Sequence, residues 1–286
     1  MLIPPNLQGL SRHADGERWL AMLPRTVAEL ADQWSLQLGP PYCDANVSYV
    51  APALRGTERV VLKVQWPHEE CEHEAEALRV WDGDGAVRLL AHDADRHALL
   101  LEPCSPGTCL ALSPATDALA VVIGLLPRLW KPAQSPFKKL ADEAREWAAG
   151  MHASWEAADK PCEASVVDAA VEFLGYLSGT QRESVLLHQD LHGGNILSAE
   201  REPWLVIDPK PLAGEREFAV APIVRSFEFG HSRREVIHRL DRLCAELQLD
   251  RERSRRWAIA QTVAWAFDSG YEARHFETAR WLLAAE

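Results

Sequence analysis

The chain has 286 residues, 47% of them hydrophobic and 25% charged, an ordinary balance for a globular protein with one large core or two adjoining ones. Its 30 Lys and Arg against 42 Asp and Glu give a net charge of −12, which argues against a nucleic-acid partner, because phosphates require clustered cations. No stretch reaches the ~18 apolar residues that a membrane helix needs, so no membrane partner is expected.

In chain order, residues 17–35 carry Leu20, Leu23, Val27, Leu30 and Trp34 at helical spacing, interrupted once by Pro24. After the break Gly39-Pro40-Pro41, runs at 46–54 and 58–65 read as strands, and Arg55-Gly56-Thr57 between them is a hairpin signature. Pro67 opens a charged helix, HEECEHEAEALRVW, with Ala75, Leu78 and Trp81 on its apolar face, and Gly83-Asp84-Gly85 ends it. Strands at 87–91 and 97–102 follow around the turn Asp93-Ala94-Asp95. These elements make a small α+β domain over residues 1–103.

Residues 104–286 are mainly helical, with helices at 114–130, 136–157, 163–178, 233–247, 251–268 and 273–284. Ser113-Pro114 and Ser135-Pro136 read as N-caps followed by proline at the first helical position. A β insertion at 184–207 interrupts the helices. Most of the eleven tryptophans, among them Trp19, Trp34, Trp81, Trp130, Trp147, Trp257, Trp265 and Trp281, fall in helical patterns and are expected to anchor the core.

The six cysteines form no CxxC pair and read as free thiols of a reducing cytosol. His68, Cys71 and His73 lie close together, but their irregular spacing and the lack of a fourth ligand argue against zinc. The N-terminal MLIPPNLQGLSRHADGERW has no basic segment leading into an apolar run, so a cytoplasmic location is expected. The acidic balance fits solubility, its ordinary account, and also suits a cationic small molecule. The C-terminal acids Asp268, Glu272 and Glu277 read in the same way, as surface charge.

The β insertion contains VLLHQDLHGGNIL and then REPWLVIDPK. Phosphoryl transfer to an alcohol needs a carboxylate to orient the hydroxyl and oxygen ligands for Mg²⁺. Asp190 suits the first task, on a glycine-containing loop after an apolar strand; Asn195 and Asp208 suit the second. Each of the three is also a common turn former. Their joint spacing, with a hairpin that returns Asp208 to the first pair, favours the chemical reading. His188, on the apolar strand, reads as a core histidine that braces the loop, and His192 as loop surface.

HQDLHGGN followed by IDP resembles the catalytic-loop and metal-binding segments of protein kinase-like enzymes. The chain resembles the aminoglycoside phosphotransferases most, and within them the streptomycin 6-phosphotransferase and hydroxyurea phosphotransferase family. The likeness runs through IPPNL, LGPPY, VVLKVQWPHEE, HEAEALRVWDGDGAVRLL, LLLEPCSPGT and HQDLHGGNILSAEREPWLVIDPKPLAGEREF.

This resemblance implies a bilobal α+β fold and transfer of the γ-phosphoryl group of ATP, with Mg²⁺, onto a hydroxyl of a small molecule. It makes Asp190 the base, Asn195 and Asp208 the metal ligands, and Lys63 the bridge to the α- and β-phosphates. Glu74 would orient Lys63, with Glu76 and Glu70 as competitors. Glu102 and Cys104 would offer backbone groups to the adenine edge, and Ser48, in the loop 44–48, would touch phosphate.

The acceptor implied is an aminoglycoside such as streptomycin. Hydroxyurea, a sugar or another hydroxylated metabolite stand as alternatives, and a nucleotide-binding pseudokinase as the rival from another class. Two features depart from the family pattern. Gln189 stands where glycine is common, and Ala219 and Val220 stand where an aspartate usually braces the catalytic loop.

Overall fold

A computed structural model describes residues 3–268 and 273–285. Glu272 lies outside them, as do the side chains of Asp268 and Glu70. Two units separate by contact: Met1–Gly107 with Ala199–Leu205, and Thr108–Ser198 with Val206–Glu286.

In the first unit, α1 (Ala14–Gln33) runs straight through Pro24 and buries Leu23, Val27 and Leu30. Strands β1 (Leu36–Leu38), β2 (Ser48–Arg55) and β3 (Glu58–Gln65) precede the short helix α2 (Glu74–Trp81), and β4 (Leu89–Asp93) and β5 (Ala98–Leu101) follow it. They form a sheet in the order β1-β2-β3-β5-β4, with every neighbouring pair antiparallel. Lys63 lies in its middle strand, opposite Val50 on one side and Leu99 on the other. Leu7, Leu23, Val27 and Leu30 pack with Tyr49, Ala51, Leu62 and Leu100 into one core. Each such aliphatic side chain contributes about 1.5–3 kcal/mol.

The charged helix expected after Pro67 is interrupted. Glu69–Cys71 is a single 3-10 turn, and His73 then takes a left-handed φ of 65° before α2 begins at Glu74. Within that turn the Cys71 sulfur accepts from the His68 backbone N–H, and His68 Nδ1 lies 2.7 Å from the Trp66 carbonyl.

The second unit contains α3 (Ala118–Leu129), β6 (Lys138–Lys139), α4 (Leu140–Ala157), α5 (Ala164–Gly179) and β7 (Val185–Leu187). Then comes β8 (Ile196–Ser198); β9 (Trp204–Val206) belongs to the first unit as far as Leu205, and the second unit continues with β10 (Leu212–Gly214), α6 (Ala221–Arg225), α7 (Arg233–Leu247), α8 (Arg251–Asp268) and α9 (Ala273–Leu283). Strand β10 pairs in parallel with β6 and antiparallel with β7. Helix α8 packs against α5, α6 and α9 and buries nearly every side chain from Trp257 to Ala264, as a central helix must.

Both expected Ser-Pro caps fail. The cap of α3 is Asp117, whose carboxylate accepts from the Ala120 N–H, and α4 starts only after Lys139 because residues 138–139 pair with β10 instead. The tryptophans also divide differently. Trp81 and Trp257 are fully buried, whereas Trp19, Trp34, Trp130, Trp147, Trp265 and Trp281 are half-buried. Among the described residues no helix is long and apolar enough to cross a membrane.

Candidate active site

In the first unit the polar residues gather on Glu74. Strand alternation turns Lys63 and Gln65 to one face of β3. Lys63 Nζ donates to Glu74 Oε2 at 2.6 Å, and Gln65 Nε2 donates to the same oxygen at 2.7 Å. All three side chains are buried, with Glu74 only 2% exposed. The left-handed turn at His73 makes Glu74 the first residue of α2, where the helix N-terminus also favours a carboxylate. Glu76 points elsewhere, to Arg79 at 3.1 Å.

Ser48 is buried and is the first residue of β2, not a loop residue. The Glu102 carboxylate takes a bidentate bond from Arg201, at 2.7 and 3.1 Å, and accepts from the Arg88 N–H at 2.9 Å. Arg201 in turn donates to the carbonyls of Gly83 and Ala86. This side-chain function of Glu102, in fixing the strand end, was not legible in the sequence. Burial, with the Glu102 charge beside it, pushes the Cys104 thiol up to about 12 and keeps it protonated.

In the second unit, β7 delivers the chain into a turn at His188-Gln189-Asp190. Gln189 adopts φ +63°, and the Asp190 N–H closes back on the His188 carbonyl at 2.8 Å. A left-handed backbone favours glycine, so Gln189 carries a steric cost there. His188 is buried, and its Nε2 lies 2.8 Å from the Ile207 carbonyl. Burial pulls its pKa down to about 4, so the ring is a neutral donor that ties two segments together.

The same few residues knit the three candidate polar groups. Asn195 Nδ2 donates to the Asp190 carbonyl at 2.9 Å, the Ile207 N–H donates to the Asn195 carbonyl at 3.0 Å, and the Lys210 N–H returns to the His188 carbonyl at 3.0 Å. Asp208 is thereby held between anchored neighbours, exposed and at φ +56°. With its NH₂ group turned into the loop, Asn195 keeps its amide oxygen as the acceptor atom. That oxygen and the Asp208 carboxylate are hard donors of the kind that suit Mg²⁺.

Sequence reasoning missed the residues that surround Asp190. Lys210 Nζ lies 3.6 Å from one carboxylate oxygen and Arg225 Nη2 lies 3.7 Å from the other. Both cations also lie over the ring of Trp265, at 4.8 and 4.5 Å from its centroid. Such stacking holds a cation without neutralising it. Lys210 stands two residues after Asp208 and was available as a signal; Arg225 on α6 and Trp265 on α8 had none. His192 is not simply loop surface. Its Nδ1 lies 3.0 Å from Glu228 Oε1, and although burial pulls its pKa down, the bond to Glu228 and the charges of Asp190 and Glu228 raise it overall.

Ala219 is buried and carries no polar group. The fully buried carboxylate nearby is Glu215, which accepts from Arg253 Nε at 2.7 Å and from the Trp257 indole N–H. It ties β10 to α8.

The profile of the family described as "Aminoglycoside/hydroxyurea antibiotic resistance kinase" matches residues 34–270. A streptomycin 6-kinase from Streptomyces griseus is 36% identical over 91% of this chain and 88% of its own. A hydroxyurea phosphotransferase from Kitasatospora aureofaciens is 38% identical over 90% of this chain and 77% of its own. Among solved structures, a thermostable mutant of an aminoglycoside phosphotransferase in ternary complex with AMP-PNP and hygromycin B superposes with a TM-score of 0.61. At 15% identity over 92% of this chain and 95% of that one, it shows the fold, which is the kinase-like one expected from the motifs. The matches over most of the length, and the motif geometry above, make this chain a member of the aminoglycoside/hydroxyurea antibiotic resistance kinase family.

Proposed function

We propose that this protein transfers the γ-phosphoryl group of ATP to a hydroxyl of an aminoglycoside, with streptomycin as the first acceptor to test. The observation that carries the reading is the turn that fixes Asp190 and Asn195 to each other, Asn195 Nδ2 on the Asp190 carbonyl, with Asp208 tethered to the same backbone through Ile207 and Lys210. A set of turn formers at a protein surface has no need of that mutual anchoring.

In this reading Asp190 orients the acceptor hydroxyl and takes its proton, and Arg225 and Lys210 keep positive charge beside the transferred group. Asn195 and Asp208 would hold Mg²⁺, which neutralises phosphate charge when bound. Lys63, oriented by Glu74, would bind the α- and β-phosphates, with Ser48 close to them. The backbone at Glu102 and Cys104 would meet the adenine edge. AMP-PNP in the related structure supports a nucleotide donor. The test is mass spectrometry of streptomycin after incubation with the protein and MgATP, with a phosphate adduct expected.

Hydroxyurea is the second acceptor to include, because the hydroxyurea phosphotransferase is as similar to this chain as the streptomycin kinase is. An adduct on it alone would replace the first acceptor without changing the chemistry. A pseudokinase predicts no adduct on any acceptor, including a panel of sugars.

A further inference from the structure

Ala219 offers the loop no polar group, and the second unit contains a carboxylate outside the motifs above that contacts the loop directly. Glu228 lies in the segment between α6 and α7. Its Oε2 accepts from the Gly193 N–H at 2.6 Å and from Ser226 Oγ at 3.1 Å. Its Oε1 accepts from the Gly194 N–H at 3.2 Å and lies 3.0 Å from His192 Nδ1. One carboxylate therefore grips three consecutive residues, and the next is Asn195.

The segment that presents Glu228 is itself fixed. Arg239 on α7, 2% exposed, donates to the carbonyls of Val224 and Ser226 at 3.0 Å, of Phe229 at 3.0 Å and of Gly230 at 2.9 Å. A buried guanidinium bound to four carbonyls leaves that segment little freedom. The fit on the loop side is equally close. A Cβ at Gly193 would stand 2.6 Å from Phe229 Cζ and 2.8 Å from Glu228 Oε2, so glycine at 193 is what lets the carboxylate reach the backbone.

We infer that Glu228 is a positioning residue for phosphoryl transfer: its carboxylate, set by Arg239, holds the Gly193-Gly194 turn and through it the placement of Asn195 relative to Asp190. The inference rests on the phosphotransferase reading for its consequence, but not for its geometry. Ionised carboxylates are strong acceptors for backbone N–H groups. A misplacement of about 1 Å at a reacting centre costs up to roughly 10²-fold in rate.

The experiment compares the full-length wild-type protein with Glu228→Ala and Glu228→Gln by two measurements. The first is residue-resolved hydrogen–deuterium exchange of the protein alone. Glu228→Ala is expected to speed exchange most at the Gly193 amide, and less at Gly194, whose N–H also donates to His192 Nδ1 at 3.1 Å, while core amides of α8 keep their protection. Glu228→Gln, which retains one acceptor oxygen, should free one amide more than the other. The second is steady-state kinetics, with kcat falling roughly 10- to 100-fold and KM for either substrate changed by less than about twofold.

Unchanged exchange at both glycines overturns the proposal, as does kcat within about twofold of wild type. Loss of protection throughout the second unit also overturns it, because Glu228 would then be a general stability residue. If wild-type protein phosphorylates no acceptor, the phosphotransferase reading fails, and the exchange measurement still decides whether Glu228 holds the loop.

Discussion

Gln261, fully buried on α8, donates its side-chain N–H to the main-chain carbonyl of Gln189 at 3.0 Å, across 72 positions of sequence. The central helix of the second unit thus reaches the residue that precedes Asp190. A left-handed turn exposes a carbonyl that no strand or helix ladder can satisfy, and Gln261 satisfies it. Replacement by leucine, of similar volume, leaves that carbonyl without its donor. We expect Gln261→Leu to destabilise the protein by about 1–3 kcal/mol in denaturant titration. An unchanged midpoint would show that water substitutes for the amide.

Gln189 itself offers a test in the opposite direction. At φ +63° an L-residue bears about 1–2 kcal/mol of steric cost, while glycine adds about 0.5–1 kcal/mol of unfolded-state entropy. Its side chain, itself buried, makes a long hydrogen bond, 3.4 Å, to Glu143. Gln189→Gly is therefore expected to be neutral or to stabilise by up to about 1 kcal/mol. A clear loss of stability would mean that the packing of the buried side chain and its Glu143 bond outweigh the strain.

The Lys63–Glu74 pair is buried on both sides, at 6% and 2% side-chain exposure. Removal of one partner leaves a charge in an apolar sheet, so Lys63→Ala is expected to cost about 3–5 kcal/mol. Lys63→Met combined with Glu74→Leu should recover much of that loss in the same titration, because neither charge remains. Transfer activity should be lost in both variants. A double variant no more stable than Lys63→Ala would refute the account of an uncompensated charge.

On the proposed function, Asp190→Asn preserves shape but removes the proton acceptor. Its thermal midpoint should stay close to wild type while kcat falls roughly 10²–10⁴-fold. Asp208→Ala is expected to abolish Mg²⁺-dependent nucleotide binding in calorimetry. Wild-type turnover in the first variant, or an unchanged titration in the second, would reassign these residues.

His188 makes stability depend on pH in a defined window. The folded protein binds the His188 proton only at about 4, whereas the ordinary value is 6.5, so acidification between them favours the unfolded chain. The full difference amounts to about 3 kcal/mol. His192 acts with the opposite sign: its raised pKa adds stability that is complete at low pH and lost as pH rises through the folded value. Glu228 has a lowered pKa, and its contribution is lost as pH falls through the folded value. His188→Gln can keep a donor to the Ile207 carbonyl without a titrating ring. Denaturation between pH 6.5 and 4 should therefore show a flatter stability profile for His188→Gln than for wild type. Equal slopes would shift the effect to other groups.

The sequence alone determined what depends on near neighbours. Apolar alternation marked β3 and put Lys63 in it, helical spacing marked α7 and α8 to the residue, and the run from His188 to Asn195 marked the loop on which the proposed chemistry is placed. Caps and breaks were less legible, since Ser113-Pro114 and Asp117 offer competing local hydrogen bonds and only the packing of α3 decides between them. Glu74 could not be chosen over Glu76 from periodicity, because the left-handed turn at His73 sets which carboxylate faces β3. Arg225, Trp265, Gln261 and Glu228 come to the loop from α6, α8 and the segment before α7. Nothing in their local sequence records that approach, because each is positioned by packing and hydrogen bonds made dozens of residues away.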